Sequence, residues 1–472
     1  MVLRGYSFMR GMWQSMAVAS MLCLTACSDG GWFSSDDDEV RLSGDRISVL
    51  AHRTTLEPSV NSDDISVTLP PYVTNMQWNL QRIPPIQHPA LPEKLAAGDV
   101  IDVGDSAEGG SRLSATPVIA NGLIYVIDGA GEVTARSADG DVREVVWKRP
   151  LDVIDENNEV LGFSLGNRQR TFLGGNIAYG NETLFATTGR GNVYALEAKT
   201  GDVRWVRSVK LPVRSAPVVY NDMVLLITAE NRLYALDRYT GKTRWTHEGL
   251  KESTSFLGAA APVAADGVVV VPYSSGEIYG LRAENGQRLW SDSLVSRRTV
   301  RSSLFSLKDI DATPVIAEGR VYAVGNDGVL KAYDLITGRV QWAQEVSGLQ
   351  MPWVAGDFLF LLTTDNELVC VNTPDGRIKW VTQLPRYDAS GFSWGSKSSE
   401  SESGERIVWT GPVLARDRLF VVGSHGKMAV LLPYTGKIRE YVDIPDETYL
   451  SPSVAANRMY VLSNNAQMLT LR

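Results

Sequence analysis

The sequence predicts an all-β chain closed into an eight-bladed β-propeller of four-stranded antiparallel blades. Three observations carry that prediction: a repeat with rigid spacing, a strand-and-turn grammar inside each repeat, and a composition rich in turn formers. In four successive segments a proline stands 24 residues before a glycine, and the glycine four residues before a tryptophan. These are Pro217, Gly241, Trp245; Pro262, Gly286, Trp290; Pro314, Gly338, Trp342; and Pro352, Gly376, Trp380. Units of four strands and about 40–45 residues are the signature of a radial array, because one unit cannot bury both its faces. The chain has 42 Gly and 12 Trp in 472 residues, with only 21% charged side chains, a balance that favours short strands and turns over helices.

Within a unit the elements follow from local chemistry. In the third, residues 216–220, 223–228, 232–237 and 242–246 are β-branched or aromatic runs suited to a pleated surface. Asn221-Asp222, Glu230-Asn231 and Thr240-Gly241 separate them. Asn, Asp and Gly supply the positive φ that tight hairpin turns need. Weaker copies flank the four. Ile177 takes the proline place before Gly201 and Trp205, Pro117 precedes Gly140 and Trp147, and Pro412 precedes Gly436 with Glu440 and Tyr441 in the tryptophan region. An eighth copy opens at Pro452 and reaches Arg472 before its last strand. The expected donor of that strand is residues 72–80, with Trp78 as the tryptophan of the unit; a ring closed this way leaves no open edge between first and last blades. Trp78, Trp147, Trp205, Trp245, Trp290, Trp342 and Trp380 are therefore expected to wedge between neighbouring blades, each burying a large aromatic surface.

The segment before the repeats reads differently. Residues 1–26 carry only Arg4 and Arg10 as charges, followed by an apolar stretch at 16–24 that is too short to span a bilayer. They read as a signal peptide. Leu24-Thr25-Ala26-Cys27 resembles a bacterial lipobox, which makes Cys27 the expected lipid attachment site and Ser28 a pointer to the outer membrane; the alternative is an ordinary secretory signal. Residues 27–70, with the acidic run Asp36-Asp37-Asp38-Glu39, are expected to be a flexible tether, and 71–472 the propeller. An anchored chain of this kind would sit at the periplasmic face of the outer membrane. Of the three cysteines, Cys370 lies in an apolar run and is expected to be a buried hydrophobe. A net charge of −8 offers no phosphate-binding surface, so nucleic acid is not an expected partner.

The run Ala235-Leu236-Asp237-Arg238-Tyr239-Thr240-Gly241-Lys242-Thr243-Arg244-Trp245 is similar to the tryptophan-docking motif of the PQQ-like, quinoprotein-type propellers. Two groups carry it: quinone-dependent dehydrogenases, and the BamB-type lipoproteins of the outer-membrane β-barrel assembly (Bam) machinery. The lipobox, the number of units and the run Asp309-Ile310-Asp311-Ala312-Thr313-Pro314-Val315 resemble the second. That resemblance implies a non-enzymatic scaffold binding the periplasmic domains of the barrel-inserting subunit, BamA, and extended outer-membrane protein clients. The dehydrogenases generally show adjacent cysteines, a calcium site and a catalytic Asp; the sequence has no adjacent cysteine pair. Its four histidines lack metal-ligand spacing. No catalytic residue, metal or cofactor is expected. The alternative readings are a periplasmic quinone-dependent dehydrogenase and an envelope lipoprotein propeller with another protein partner.

The connections from each tryptophan to the next unit vary in length, and such loops carry function on a fixed scaffold. In the 246–261 loop, Phe256 and Leu257 beside small residues are either an exposed anchor or folded back on the ring. In the 291–313 loop, Arg301, Asp309 and Asp311 suit an interface rim, or the Asp pair bonds the turn into the next unit. The resemblance places Phe256 on a hydrophobic BamA contact, Asp309 and Asp311 on an acidic contact pair, and Leu257 where an Arg is usual, which implies a more apolar contact here. Phe392 and Trp394 in the 381–411 loop are either interaction residues or packed on the ring.

Overall fold

The computed structural model describes residues 56–79, 87–107, 112–151, 174–213, 215–251, 260–295, 310–326, 328–388 and 404–472. Apart from one short 3₁₀ turn, Ser62–Asp64, the regular elements described are strands, and they form eight four-stranded antiparallel sheets. Blades 1 to 7 occupy residues 118–150, 175–208, 218–248, 263–293, 315–344, 353–383 and 409–443. Blade 8 takes three strands from residues 453–471 and its outermost strand from Ala97–Asp102. The second strand of most blades is almost wholly buried, as in Val268–Pro272, whose five residues are all core. Outermost strands such as Val203–Ser208 and Thr243–Glu248 are largely exposed and the rim carries charges such as Arg204, Arg207, Arg244 and Lys379, which discourage edge-to-edge pairing with other chains.

One contact explains the Gly-x-x-x-Trp spacing. In blades 1 to 6 the tryptophan on the outermost strand reaches into the next blade, not its own. The indole N–H groups of Trp147, Trp205, Trp245, Trp290, Trp342 and Trp380 donate to the carbonyls of Ala198, Arg238, Ala283, Leu335, Thr373 and Pro433 at 2.7–3.0 Å. Each carbonyl stands three residues before the glycine of the next blade's outer turn. The ring lies flat over that glycine. A Cβ on Gly201, Gly241, Gly286, Gly338, Gly376 or Gly436 would come within 2.3–2.7 Å of the tryptophan, and all six have φ between +67° and +79°. Glycine is thus needed twice at each site, for the left-handed turn and for the space.

Six such docks join blades 1 to 7 in series. The two seams beside blade 8 have none, and the sequence shows why. Glu440 holds the place of the docking tryptophan in blade 7, paired with Val430 as Trp245 is with Ala235, and blade 8 has no outer turn of its own to receive a ring. Arginines and the N-terminal arm replace it. Arg418 donates to the carbonyls of Glu93 and Pro92 at 3.0 and 2.5 Å, and Arg416 to that of Leu91 at 2.8 Å. Across the other seam Arg458 donates to the Ala138 carbonyl at 2.6 Å, the blade 1 counterpart of Ala198. Ser453 donates to Pro117 at 2.7 Å, and Arg143 pairs with Asp99 at 2.5 Å.

Two expectations are corrected. The strand that completes blade 8 is Ala97–Asp102, not 72–80: Ala97 pairs with Leu471 and Asp102 with Gln467, and Ala96 and Arg472 exchange both backbone bonds at 2.7 and 3.0 Å. Trp78 is not a docking tryptophan on an outer strand. It sits at the hub, 1% exposed, exchanging backbone bonds with Ile119 of the innermost strand of blade 1 at 2.8 and 3.0 Å. Its ring stacks on Trp353 of blade 6 with centroids 6.2 Å apart. Secondly, the compact unit begins at Leu56, so residues 56–70 are packed rather than a free tether. Ser59 donates to Ile378 at 2.9 Å, Lys379 to the Ser62 carbonyl at 2.7 Å, and Val67 joins the core with Phe358 and Phe360. From there the arm crosses the ring: Asn75 bonds Val454 of blade 8 at 2.6 Å and Asn79 bonds Tyr179 of blade 2 at 2.6 Å.

His88, wholly buried where this arm returns over blade 7, lies 3.3 Å from Asp417. Burial pushes its pKa below the ordinary 6.5, and Asp417 offsets only part of that. The unfolded chain therefore binds this proton at a higher pH than the folded one, so His88 contributes stability above pH 6.5 that is lost as the pH falls.

Two tests follow from these contacts. Gly338→Ala and Gly319→Ala lie in one blade with φ +68° and +72°, but only the first faces a tryptophan; a Cβ on Gly319 meets nothing within 4 Å. Urea denaturation should show a loss of about 1 kcal/mol for Gly319→Ala and about 2–4 kcal/mol for Gly338→Ala. Equal losses would mean that the ring can shift at no cost. Between pH 7.5 and 5.5 the wild-type chain should lose more stability than His88→Gln does. Equal slopes would show that His88 gains its proton as readily folded as unfolded.

Candidate functional site: the hub and the connecting loops

In each blade the first strand lies at the axis and the fourth at the rim, so every connection to the next blade runs from rim to hub on one face. Two of the three connections singled out by sequence flank blade 4, and the described parts of both are pinned. At the stem of the first, Asn231 donates to the Leu250 carbonyl at 2.7 Å, the Leu250 N–H donates to Glu277 at 3.1 Å, and Lys251 pairs with Glu230 at 3.3 Å. At the stem of the second, Lys331 bonds both the Asp292 carboxylate and the Ser293 carbonyl at 2.8 Å, and the Tyr333 hydroxyl donates to Asp292 at 2.9 Å. Burial works against the Asp292 charge, but these donors hold its pKa below the ordinary carboxylate value. The two loops meet where the Ala261 N–H donates to the Thr313 hydroxyl at 3.0 Å.

Phe256, Leu257, Arg301 and Asp309 lie outside the described residues, as do Cys27, Phe392 and Trp394. Asp311 is described. Ile310 and Ala312 on either side of it are 2% and 1% exposed, so the backbone there is held while the half-buried carboxylate lines the hub.

The hub contains a cavity of about 450 Å³, within the range of small-ligand sites. Its wall is mostly apolar, with Trp78, Trp353, Met351, Val315, Val413 and Leu450 prominent; Asp311, Thr313, Gln350, Thr410 and Ser451 are among the polar contributors. Sequence reasoning passed over Trp353, although a signal existed. The residue after the unit proline is Val118, Val218, Val263, Val315 and Val413 in five units, but Trp353 in the sixth. Trp78 was noticed and assigned to the wrong seam.

The fold raises the question of a quinone and metal at the hub, and the described lining does not fit them. Its sole carboxylate is Asp311, it includes no Lys, Arg or His, and no group of three or more His, Cys, Asp or Glu comes together among the described residues. Burying an anionic cofactor there would leave its charge without a partner. Cys370, buried in blade 6, has its thiol pushed well above the ordinary value by desolvation, and a thiol in that state is inert.

Comparison with known proteins agrees with the architecture. A family model described as outer membrane protein assembly factor BamB matches residues 143–382. A relative of that name from Moranella endobia is 24% identical over 387 residues, covering 82% of this chain and 92% of its own. Among solved structures, BamB from Moraxella catarrhalis superposes with a TM-score of 0.63 at 20% identity, covering 80% of this chain and all of that one. A europium-containing methanol dehydrogenase superposes with a TM-score of 0.59 at 15% identity, covering 82% of this chain and 89% of that one. Those two likenesses show the propeller fold alone; the family model, which spans half of the sequence, places the chain in the family of BamB outer membrane protein assembly factors.

Proposed function

We propose that the chain is a non-enzymatic scaffold of the outer-membrane β-barrel protein assembly machinery, anchored at the periplasmic face of the outer membrane through Cys27. On this reading it holds the periplasmic domains of the barrel-inserting subunit, BamA, and assists insertion of client proteins. The observation that carries the reading is the family match over residues 143–382, on a ring whose eight blades are all accounted for. The geometry suits a docking platform. Two neighbouring loops rise from stems fixed by hydrogen bonds and ion pairs. Asp311 projects from a backbone held by buried neighbours, which lowers the ordering cost of binding. Phe256, Leu257, Arg301 and Asp309 are proposed as the remaining contacts.

The full-length chain should co-purify with BamA from membranes. Reversing both charges, Asp309→Lys with Asp311→Lys, should weaken that recovery by on the order of tenfold at low salt, with the urea midpoint unchanged. Undiminished recovery with a folded variant would remove these two residues from the interface.

A further inference from the structure

We propose, on the basis of the scaffold reading, that Leu250 is a further contact for the barrel-inserting subunit. It is an apolar anchor at the root of the 246–261 loop, set to meet an apolar patch on the periplasmic domains of that subunit.

The first observation is a rule that blade 3 breaks. In five blades the outermost strand is followed by an apolar residue, Leu151, Val209, Leu294, Leu384 or Ile444, which is 8% exposed or less. Its N–H donates at 2.8–3.0 Å to a carbonyl in the turn between the second and third strands of its own blade. In blade 3 the same bond is made by Gly249, to Asn231 at 2.9 Å. A side chain is excluded there, because a Cβ on Gly249 would come within 2.5 Å of the Tyr273 ring of blade 4. Tyr273 is itself out of pattern. It opens the turn between the second and third strands, its N–H bonding the carbonyl four residues on, and that place is held by Asp128, Thr228, Gly325, Thr363 and Ser463 in other blades. The ring is buried, with its hydroxyl 2.8 Å from His247 Nδ1. Tyr273 thus takes up the space beside Gly249, and the apolar residue of blade 3 comes one position later, on the outside.

The second observation is how that residue is displayed. Leu250 is 64% exposed. The other exposed large apolar side chains among the described residues lie on the arm, the outermost strands or the outer turns, so Leu250 stands apart on the face of the connections. Its backbone is held on both sides, the N–H by Glu277 at 3.1 Å and the carbonyl by Asn231 at 2.7 Å. Both holders are fixed in turn. Glu277 accepts from the Ser275 and Tyr279 hydroxyls at 2.9 and 2.8 Å, and Asn231 from the N–H and hydroxyl of Ser274 at 3.2 and 3.0 Å. The charges nearest in the chain, Glu248 and Lys251, pair with Arg232 and Glu230, so what the stem offers a partner is the leucine. Singly exposed apolar residues are common on protein surfaces. One on a fixed backbone, six residues before Phe256 in a proposed docking loop, costs little to order when a partner covers it.

The test titrates detergent-solubilised, full-length BamA onto the immobilised full-length chain at low and at high salt. Leu250→Ser should weaken binding about tenfold, with the urea midpoint within error. The loss should be the same at both salt concentrations, since an apolar contact is not screened. Leu250→Met, which keeps an apolar side chain of similar volume, should bind within about twofold of the wild type. Ile336→Ser, at an exposed apolar position on an outer turn of the opposite face, should bind like the wild type. Full affinity in Leu250→Ser, a lowered urea midpoint in that variant, a loss that disappears at high salt, or an equal loss in Ile336→Ser would overturn the contact and leave the scaffold reading standing. A wild-type chain that captures no BamA would overturn the scaffold reading and the contact with it.

Discussion

An indole ring laid on a glycine turn of the neighbouring blade is the interaction on which the molecule depends. It joins apolar burial, a hydrogen bond and a backbone conformation in one contact. The tryptophan N–H meets a carbonyl three residues before the glycine, the glycine holds a left-handed φ, and the missing Cβ makes room for the ring. None of the three can change alone. Burying a large side chain contributes about 1.5–3 kcal/mol and the hydrogen bond about 1 kcal/mol, and the contact recurs six times. Since each dock joins one blade to the next, it also fixes their separation, and so the length of every unit between proline and tryptophan.

Blade 8 shows what happens where that contact is unavailable. Its outermost strand is borrowed from residues 97–102, so it has no outer turn to receive a ring and no tryptophan to send onward. The chain substitutes arginines that reach backbone carbonyls, and an arm that covers both seams. Arg458 reaches Ala138, the carbonyl that a tryptophan would otherwise meet. The guanidinium is suited to this because it offers several donors on a long apolar stem.

Much of this was legible in the sequence for a physical reason. A contact that couples residues at fixed separation leaves a periodic mark, so Pro217, Gly241 and Trp245 and their counterparts reveal both the blade and the number of blades. Ring closure left a weaker mark. Ala97–Asp102 is an exposed strand with a bulge and no aromatic residue, whereas residues 72–80 carry a tryptophan and look the part. The error lay in expecting every outer strand to bring a tryptophan, when Glu440 already showed that the last seams work otherwise. Likewise the packed arm at 56–70 sets Leu56, Ile65, Val67 and Leu69 among polar residues at no regular repeat, and part of its hold on blade 6 comes from backbone groups that leave no pattern. The connecting loops are freest from packing, so sequence alone locates them without giving their conformation. At the hub, the valine-to-tryptophan change at Trp353 was readable, but its pairing with Trp78 depends on a crossing of the chain that no local pattern encodes.

The pairing of Ala97 with Leu471 has a bearing on the birth of the molecule. A nascent chain has made seven blades and most of the eighth before the partner of its earliest strand exists. Until residues 467–471 have emerged from the ribosome, the array is an open arc with an unsatisfied strand at each end, and such ends recruit other chains. Contacts between residues so remote in sequence form slowly. Residues 467–471 therefore act as the clasp that turns an adhesive intermediate into a closed ring.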